Sequence, residues 1–248
     1  MIPYEGILFL ERDTVNEVFD KFVRDVKKVC DEYGYPVFIR CGGLSGKHDW
    51  KDTCYMTDPD KLAQQIHNLM ECTFMIMGIR LDFDGIAIRE FLTLESPFKA
   101  FGGEMPIAKE FRFFARDGEY ECHHPYWPPS SLWRVTSDNW YEELKEMQKL
   151  EAGELEMLKM YSQDISRALD SEGRGTGWWS LDFCKTVDGT WYLTDLATGA
   201  ESYHWSTCPH APESMKQHPD PDEIAGIEGP TARAESIRLL KERYKEKI

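Results

Sequence analysis

Residues 178–196 read WWSLDFCKTVDGTWYLTDL, two apolar runs (Trp178 to Lys185 and Thr190 to Asp195) joined through Val187-Asp188-Gly189. Asp-Gly between runs rich in aromatic and β-branched residues is a hairpin signal, because the tight turn needs residues that accept positive φ. Asp182 and Asp195 lie inside the apolar arms, six or seven residues from the turn. That count sets them nearly opposite each other across the ladder, where cross-strand side chains meet. A carboxylate inside an apolar strand is costly unless it is paired or bound to a cation. Two facing carboxylates repel unless a cation stands between them. Mg2+ suits that place, since it takes few protein carboxylates and keeps phosphate oxygens as ligands. Asp182 and Asp195 are therefore candidate metal ligands.

Upstream of the hairpin, Pro106 to Phe114 and Gly118 to Cys122 read as strands turning through Arg116-Asp117-Gly118. Period-two alternation puts Glu110 and Arg112 on one face. They line a cleft or form a cross-strand ion pair on a solvent face. His123 to Trp133 is an irregular segment of aromatics and prolines. His123 and His124 would point to opposite faces if extended. With Tyr126, Trp127 and Trp133 they line an acceptor pocket or pack as an aromatic loop. Ser137 or Asp138 caps a long helical region running to about Leu169, with a break expected at Gly153.

The first third alternates helix and strand. Thr14 and Glu17 have capping-box spacing, and Val15, Val18, Phe19, Phe22, Val23 and Val26 recur at helical intervals up to a stop near Tyr33-Gly34. Pro36 to Arg40 is a short buried strand, Cys41 to Lys47 a loop of small residues, and Thr53 to Met56 a return strand. That connection is too short for a helical crossover, so the two strands are antiparallel. Asp58 caps a helix with Pro59 at its start, and Leu62, Ile66, Leu69 and Met70 face inward. Ile86 to Leu94, IAIREFLTL, is the next strand. The class is α+β rather than a doubly wound parallel sheet. In the small-residue loop, Arg40, Ser45, Gly46 and Lys47 offer close backbone approach and two cations to an anion. The same loop also reads as a plain solvated turn.

Composition bounds the function. The chain has 248 residues, with 44 acidic against 29 basic side chains and a formal net charge of −15. Such a balance repels phosphate backbones and anionic lipid surfaces, so neither general nucleic-acid binding nor membrane docking is expected. A small phosphorylated ligand needs only a few placed cations. No apolar run reaches the ~20 residues of a membrane helix, and Met1 to Leu10 does not read as a secretory signal. The seven cysteines are odd in number, scattered and without a CxxC pair, as expected of free thiols in a reducing, cytoplasmic setting. Gly46-Lys47 fails the P-loop pattern at Cys41 and His48, and Gly173, Gly175 and Gly177 precede a strand where a dinucleotide loop follows one. His204, Cys208 and His210 lie within seven residues, a spacing that matches no zinc module.

The order of these parts resembles the ATP-grasp fold: strand, small-residue loop with Lys, strand, helix, a Glu-bearing hinge strand, a strand pair, then a hairpin with two acids. Within that fold the strings IAIREFLTL, KEFRFFARDGEY followed by HHPYW, and DFCKTVDGTWYLTDLATG are similar to the cell-division-cycle protein 123 family. They are similar also to the related ATP-grasp clade named for two arginines and a lysine. The resemblance covers residues 36 to 205.

The resemblance implies ATP clamped between two α+β subdomains. Arg40 and Lys47 would contact its phosphates, with Ser45 and Gly46 in the same loop. Glu90, Phe91 and Leu92 would form the hinge edge facing adenine. Glu110 would sit near the ribose, and Arg112 would reach the phosphates. Asp182 and Asp195 would hold Mg2+, with Lys47 and Arg112 as the catalytic cations. Subdomains are expected at 1–88 and 89–205, with 206–248 as a proline-rich loop and terminal helix packing on the second. The implied activity is ATP-dependent ligation of a small carboxylate to an amine or thiol. The alternative is an ATP-dependent protein-binding or assembly factor. The family usually carries Asn two residues after the second acid. Here that position is Ala197, with Thr198 the adjacent oxygen donor.

Overall fold

The computed structural model describes residues 2–3, 12–42, 49–77, 85–102, 105–173 and 177–213. The loop residues Ser45, Gly46 and Lys47, most of the 206–230 loop and the terminal helix expected from Pro230 lie outside them. The chain divides into two compact units, Met1–Leu92 and Thr93–Ile248.

The first unit runs β1 (Ile2–Pro3), α1 (Arg12–Tyr33), β2 (Val37–Cys41), β3 (Tyr55–Met56), α2 (Leu62–Met77) and β4 (Gly85–Glu90). Helix α1 starts at Arg12, so the Thr14–Glu17 pair lies inside it and does not cap it; neither Arg12 nor Asp13 interrupts helical backbone. Its end is where the sequence puts it. Gly34 takes φ 76° and its N–H reaches the Cys30 carbonyl at 3.0 Å, a left-handed stop that glycine accepts without a Cβ clash. The sheet order is β1-β4-β2-β3, with β2 antiparallel to both neighbours. Alternation along β2 turns Val37, Ile39 and Cys41 onto the helices, where Phe22, Val26 and Cys30 of α1 and Leu62, Ile66 and Leu69 of α2 close a dry core. Each of the Val, Ile, Leu and Phe side chains contributes about 1.5–3 kcal/mol by leaving water. Phe38 and Arg40 are thereby turned onto the opposite face.

The second unit holds β5 (Lys99–Ala100), β6 (Met105–Pro106), β7 (Glu110–Arg116), β8 (Glu119–Pro125), α3 (Trp140–Met147), α4 (Ala152–Ser171), β9 (Trp178–Lys185) and β10 (Trp191–Thr198). Three sequence expectations shift here. The strand expected from Pro106 begins at Glu110, because Met105 and Pro106 pair instead with Lys99 and Ala100. His123 to Pro125 extends β8 and is not irregular. The long helix breaks at 148–151, ahead of Gly153, which sits in the first turn of α4. There the Glu151 N–H is captured by Glu154 Oε2 at 3.1 Å, restarting the helix.

The four strands order as β10-β9-β7-β8, all antiparallel. Phe111, Phe113, Ala115, Leu181 and Phe183 face α4, where Leu158 is fully buried. The β7–β8 turn places Asp117 and Gly118 at positive φ, as a two-residue hairpin loop demands. Covering one face with α4 leaves the other to carry the polar residues of the strands.

Candidate functional site

The site follows from the register of this sheet. Asp195 pairs with Asp182, Asp182 with Arg112, and Arg112 with His124. One row thus crosses all four strands on the face turned away from α4. The hairpin count in the sequence anticipates the first of these pairings. A bulge between Leu193 and Asp195 keeps the two acids in step.

Asp182 is buried, with 3% of its side chain exposed, and Arg112 is 12% exposed. Arg112 Nε donates to Asp182 Oδ1 at 2.7 Å and Nη2 donates to Oδ2 at 2.8 Å. This is the bidentate fork that a planar guanidinium makes with a carboxylate. A third donor, Nη1, reaches the Tyr203 carbonyl at 3.1 Å, and the guanidinium lies 4.8 Å from the Tyr126 ring centroid. Burial works against the Arg112 charge, but the hydrogen bonds and charge of Asp182 outweigh it and raise the pKa, with Tyr126 and Glu110 adding to the effect. Glu110 is itself buried and shares the face of Arg112 two residues on. Of the alternatives left open for Glu110 and Arg112, the solvent-face ion pair is excluded by burial; the ion pair that forms is buried and joins Arg112 to Asp182.

Asp195 is half-buried at the hairpin's outer arm, where its Oδ1 accepts from the Leu196 N–H at 3.1 Å. Two opposed carboxylates present hard oxygen donors of the kind Mg2+ prefers. Arg112 occupies one lone-pair direction on each Asp182 oxygen, and a carboxylate offers about four in all. The donor set therefore fits a Mg2+ ion held by Asp182 and Asp195. Ala197 lies opposite Ser180 and adds no donor. Thr198 adds none either: alternation turns it to the α4 side, with its hydroxyl donating to Glu201 Oε2 at 2.9 Å.

His124 is the residue of this row that the sequence left undecided. It turns to the Arg112 face, while His123 stacks on Phe113 toward α4 with centroids 4.9 Å apart. Burial pushes His124 down to about 3. Its Nδ1 lies 2.8 Å from the Pro125 carbonyl, so Nδ1 carries the proton and Nε2 is buried with no partner among the described residues. Tyr203, His204 and Trp205 cover it, His204 stacking on Phe114 at 4.0 Å.

In the first unit Arg40 is half-buried on β2, its Nε donating to the Cys41 carbonyl at 3.2 Å. Glu90 is exposed at the end of β4, opposite Val37. Phe91 leans on Tyr55 and Trp50, with ring centroids 4.9 and 6.2 Å away. Its ring is committed to that cluster. Leu92 follows it, half-buried.

Residues 9–212, more than half of the chain, match an ATP-grasp domain family, the third family of the clade named for two arginines and a lysine. Among curated proteins there is no match. Solved structures similar to the chain include the biotin carboxylase domain of 2-oxoglutarate carboxylase from Hydrogenobacter thermophilus, in complex with MgADP, ADP and bicarbonate. It is 15% identical, with a TM-score of 0.43, over 72% of this chain and 34% of that one. D-alanine–D-alanine ligase from Bacillus anthracis, complexed with ATP, is 14% identical, with a TM-score of 0.40, over 73% of this chain and 52% of that one. N5-carboxyaminoimidazole synthase from Aspergillus clavatus is 12% identical, with a TM-score of 0.35, over 71% of this chain and 36% of that one. The chain thus spans about a third to a half of the length of these structures. Among the described residues no helix is long and apolar enough to cross a membrane. The fold is the ATP-grasp fold, and the chain belongs to family 3 of the two-arginine, one-lysine clade of ATP-grasp domains.

Proposed function

We propose that this protein binds Mg·ATP and uses it to ligate a small carboxylic acid to an amine or thiol. The observation that carries the reading is the in-register row Asp195–Asp182–Arg112 on one sheet face. Asp182 and Asp195 would hold Mg2+, which when bound offsets phosphate charge. Arg112, kept cationic and aimed by Asp182, would stabilise charge on the transferring phosphoryl group. Lys47 would act with it, and Arg40, Ser45 and Gly46 would bind phosphates. Glu90, Phe91 and Leu92 would meet the adenine through backbone groups, and Glu110 the ribose. In the chemistry, a substrate carboxylate oxygen attacks the γ-phosphorus and ADP leaves. The amine or thiol then attacks the acyl carbon, phosphate departs, and the nucleophile loses a proton. No side-chain nucleophile is required. A cytoplasmic location accords with the free thiols.

A specific observation favours a second reading. Ala197 brings no oxygen to the acids, and Thr198 faces away from them. A protein with such a reduced metal set would bind nucleotide to shape a docking surface, as a factor of the cell-division-cycle protein 123 type. ADP release across a panel of carboxylic acids with amines and thiols separates the two. Turnover supports ligation. Tight Mg·ATP binding with no turnover, and a protein partner captured only with ATP, overturns it.

A further inference from the structure

The sheet edge beside the site holds a second cluster, distinct from the two aspartates. Cys122 on β8, His204 and Cys208 bring one donor atom each to within 4.8 Å of one another. The sequence groups His204 with Cys208 and His210. The fold replaces His210 by a cysteine 82 residues before His204, and His210 instead approaches Glu121, at 3.8 Å. Cys122 and His204 are buried, and the Cys122 Sγ to His204 Nε2 separation is 3.2 Å. His204 has no exposed surface, and its other nitrogen, Nδ1, has no partner among the described residues. A metal held by Nε2, the nitrogen that faces Cys122, would replace that weak thiol contact and leave the ring proton on Nδ1.

Two cysteines and one histidine are the soft and borderline donors that zinc favours. Tetrahedral bonds of about 2.3 Å to sulfur put two sulfurs about 3.8 Å apart, inside the 4.8 Å that contains the three donor atoms. Cys208 is carried on successive turns, its N–H on the Trp205 carbonyl and its carbonyl accepting from Ala211, each at 3.0 Å. Cys122 and Cys208 also line a cavity of about 500 Å³ beside the edge strand, which His204 does not line. A fourth, solvent ligand would have room there.

We propose that Cys122, His204 and Cys208 bind one Zn2+ ion that ties the 203–211 segment to the outer strand of the sheet. Binding converts both thiols to thiolates and releases two protons, so the affinity rises with pH. The tied segment supplies the Tyr203 carbonyl to Arg112 and covers His124, so the ion would steady the site without touching it.

The test titrates full-length protein, kept reduced, with Co2+ and then Zn2+. Expected are one equivalent bound, tetrahedral cobalt bands with thiolate-to-metal charge transfer, displacement by Zn2+, and about two protons released per ion, measured by calorimetry in two buffers. Cys208→Ser, a change in a half-exposed turn, should weaken binding by more than the about 10–100-fold that losing a supporting residue costs. Cys72→Ser should leave it unchanged. Absence of thiolate charge transfer in the wild type, an unaltered spectrum in Cys208→Ser, or equal loss in Cys72→Ser would each overturn the proposal. ATP binding is not part of this readout.

Discussion

Arg112 and Asp182 face each other on adjacent antiparallel strands, and the guanidinium holds both carboxylate oxygens, at 2.7 and 2.8 Å. The pair is nearly dry, so its worth lies in what happens when it is halved. Removing one member of a buried pair strands the other charge and costs about 3–5 kcal/mol, whereas replacing both by apolar residues is close to neutral.

Asp182→Asn is therefore expected to lower stability by about 3 kcal/mol and to abolish Mg·ATP binding. The double variant Arg112→Met with Asp182→Leu should recover most of the stability and none of the binding. Urea unfolding read beside calorimetric ATP titration separates the two effects. If the double variant binds Mg·ATP as the wild type does, the row is structural only.

Asp195 is the cleaner probe, because it is half-buried and outside the Arg112 fork. Asp195→Asn should change stability by less than about 1 kcal/mol. It should weaken ATP binding about tenfold or more, a loss of about 1.4 kcal/mol, and only when Mg2+ is present. Repeating the titration with EDTA supplies the metal-free arm, in which wild type and variant should converge. A loss of equal size in EDTA would remove Asp195 from the metal set.

The Asp182–Asp195 pairing is legible in the sequence because a hairpin fixes its own register: Asp188-Gly189 sets the turn and the count along each arm follows. The fold class is legible for the same reason, in the short Arg40-to-Thr53 connection and the helical spacing through Val26. The partner of Arg112 is not, since β7 meets β9 across 70 residues of chain, and alternation alone says which face Arg112 takes but not which strand lies beside it. Cys122 joins His204 and Cys208 in the same non-local way. The face of Thr198 was open to the alternation rule, since Asp195 and Thr198 differ by an odd number of positions. The helix break at 148–151 turns on Glu154 capping Glu151, a signal that Gly153 obscured.

On the opposite side of the sheet, Glu154 takes Lys185 Nζ at 2.7 Å, Lys109 Nζ at 3.6 Å and the Trp191 indole N–H at 3.2 Å. Burial opposes its charge, but the Lys185 hydrogen bond and the other donors outweigh it and hold the carboxyl down at about 2, against 4.5 for a free glutamate. The unfolded chain then binds the extra proton between these values, so this stabilisation is full above about pH 4.5 and is lost as pH falls toward 2. Glu154→Gln should cost about 2 kcal/mol at pH 7 and progressively less below pH 4.5, measured as urea midpoints across that range. A constant difference between wild type and variant down to pH 2.5 would contradict it.

Ala197 tests which of the two functional readings holds. It is exposed on β10, two residues after Asp195 and on the same face, opposite the small Ser180. An Asn there meets no packed core, so Ala197→Asn should alter stability by no more than about 0.5 kcal/mol. Its amide oxygen would add a third oxygen donor to the two carboxylates and should tighten Mg2+-dependent ATP binding about tenfold. If the wild type is a ligase working with a reduced metal set, the variant should also raise the rate of ADP release with its substrates. If it is a nucleotide-dependent docking protein, tighter binding should come with no turnover and with stronger capture of its partner. An Ala197→Asn protein that folds normally but gains neither affinity nor turnover would mean that this position lies outside the metal's reach, and that Ala197 does not reduce the metal set at all.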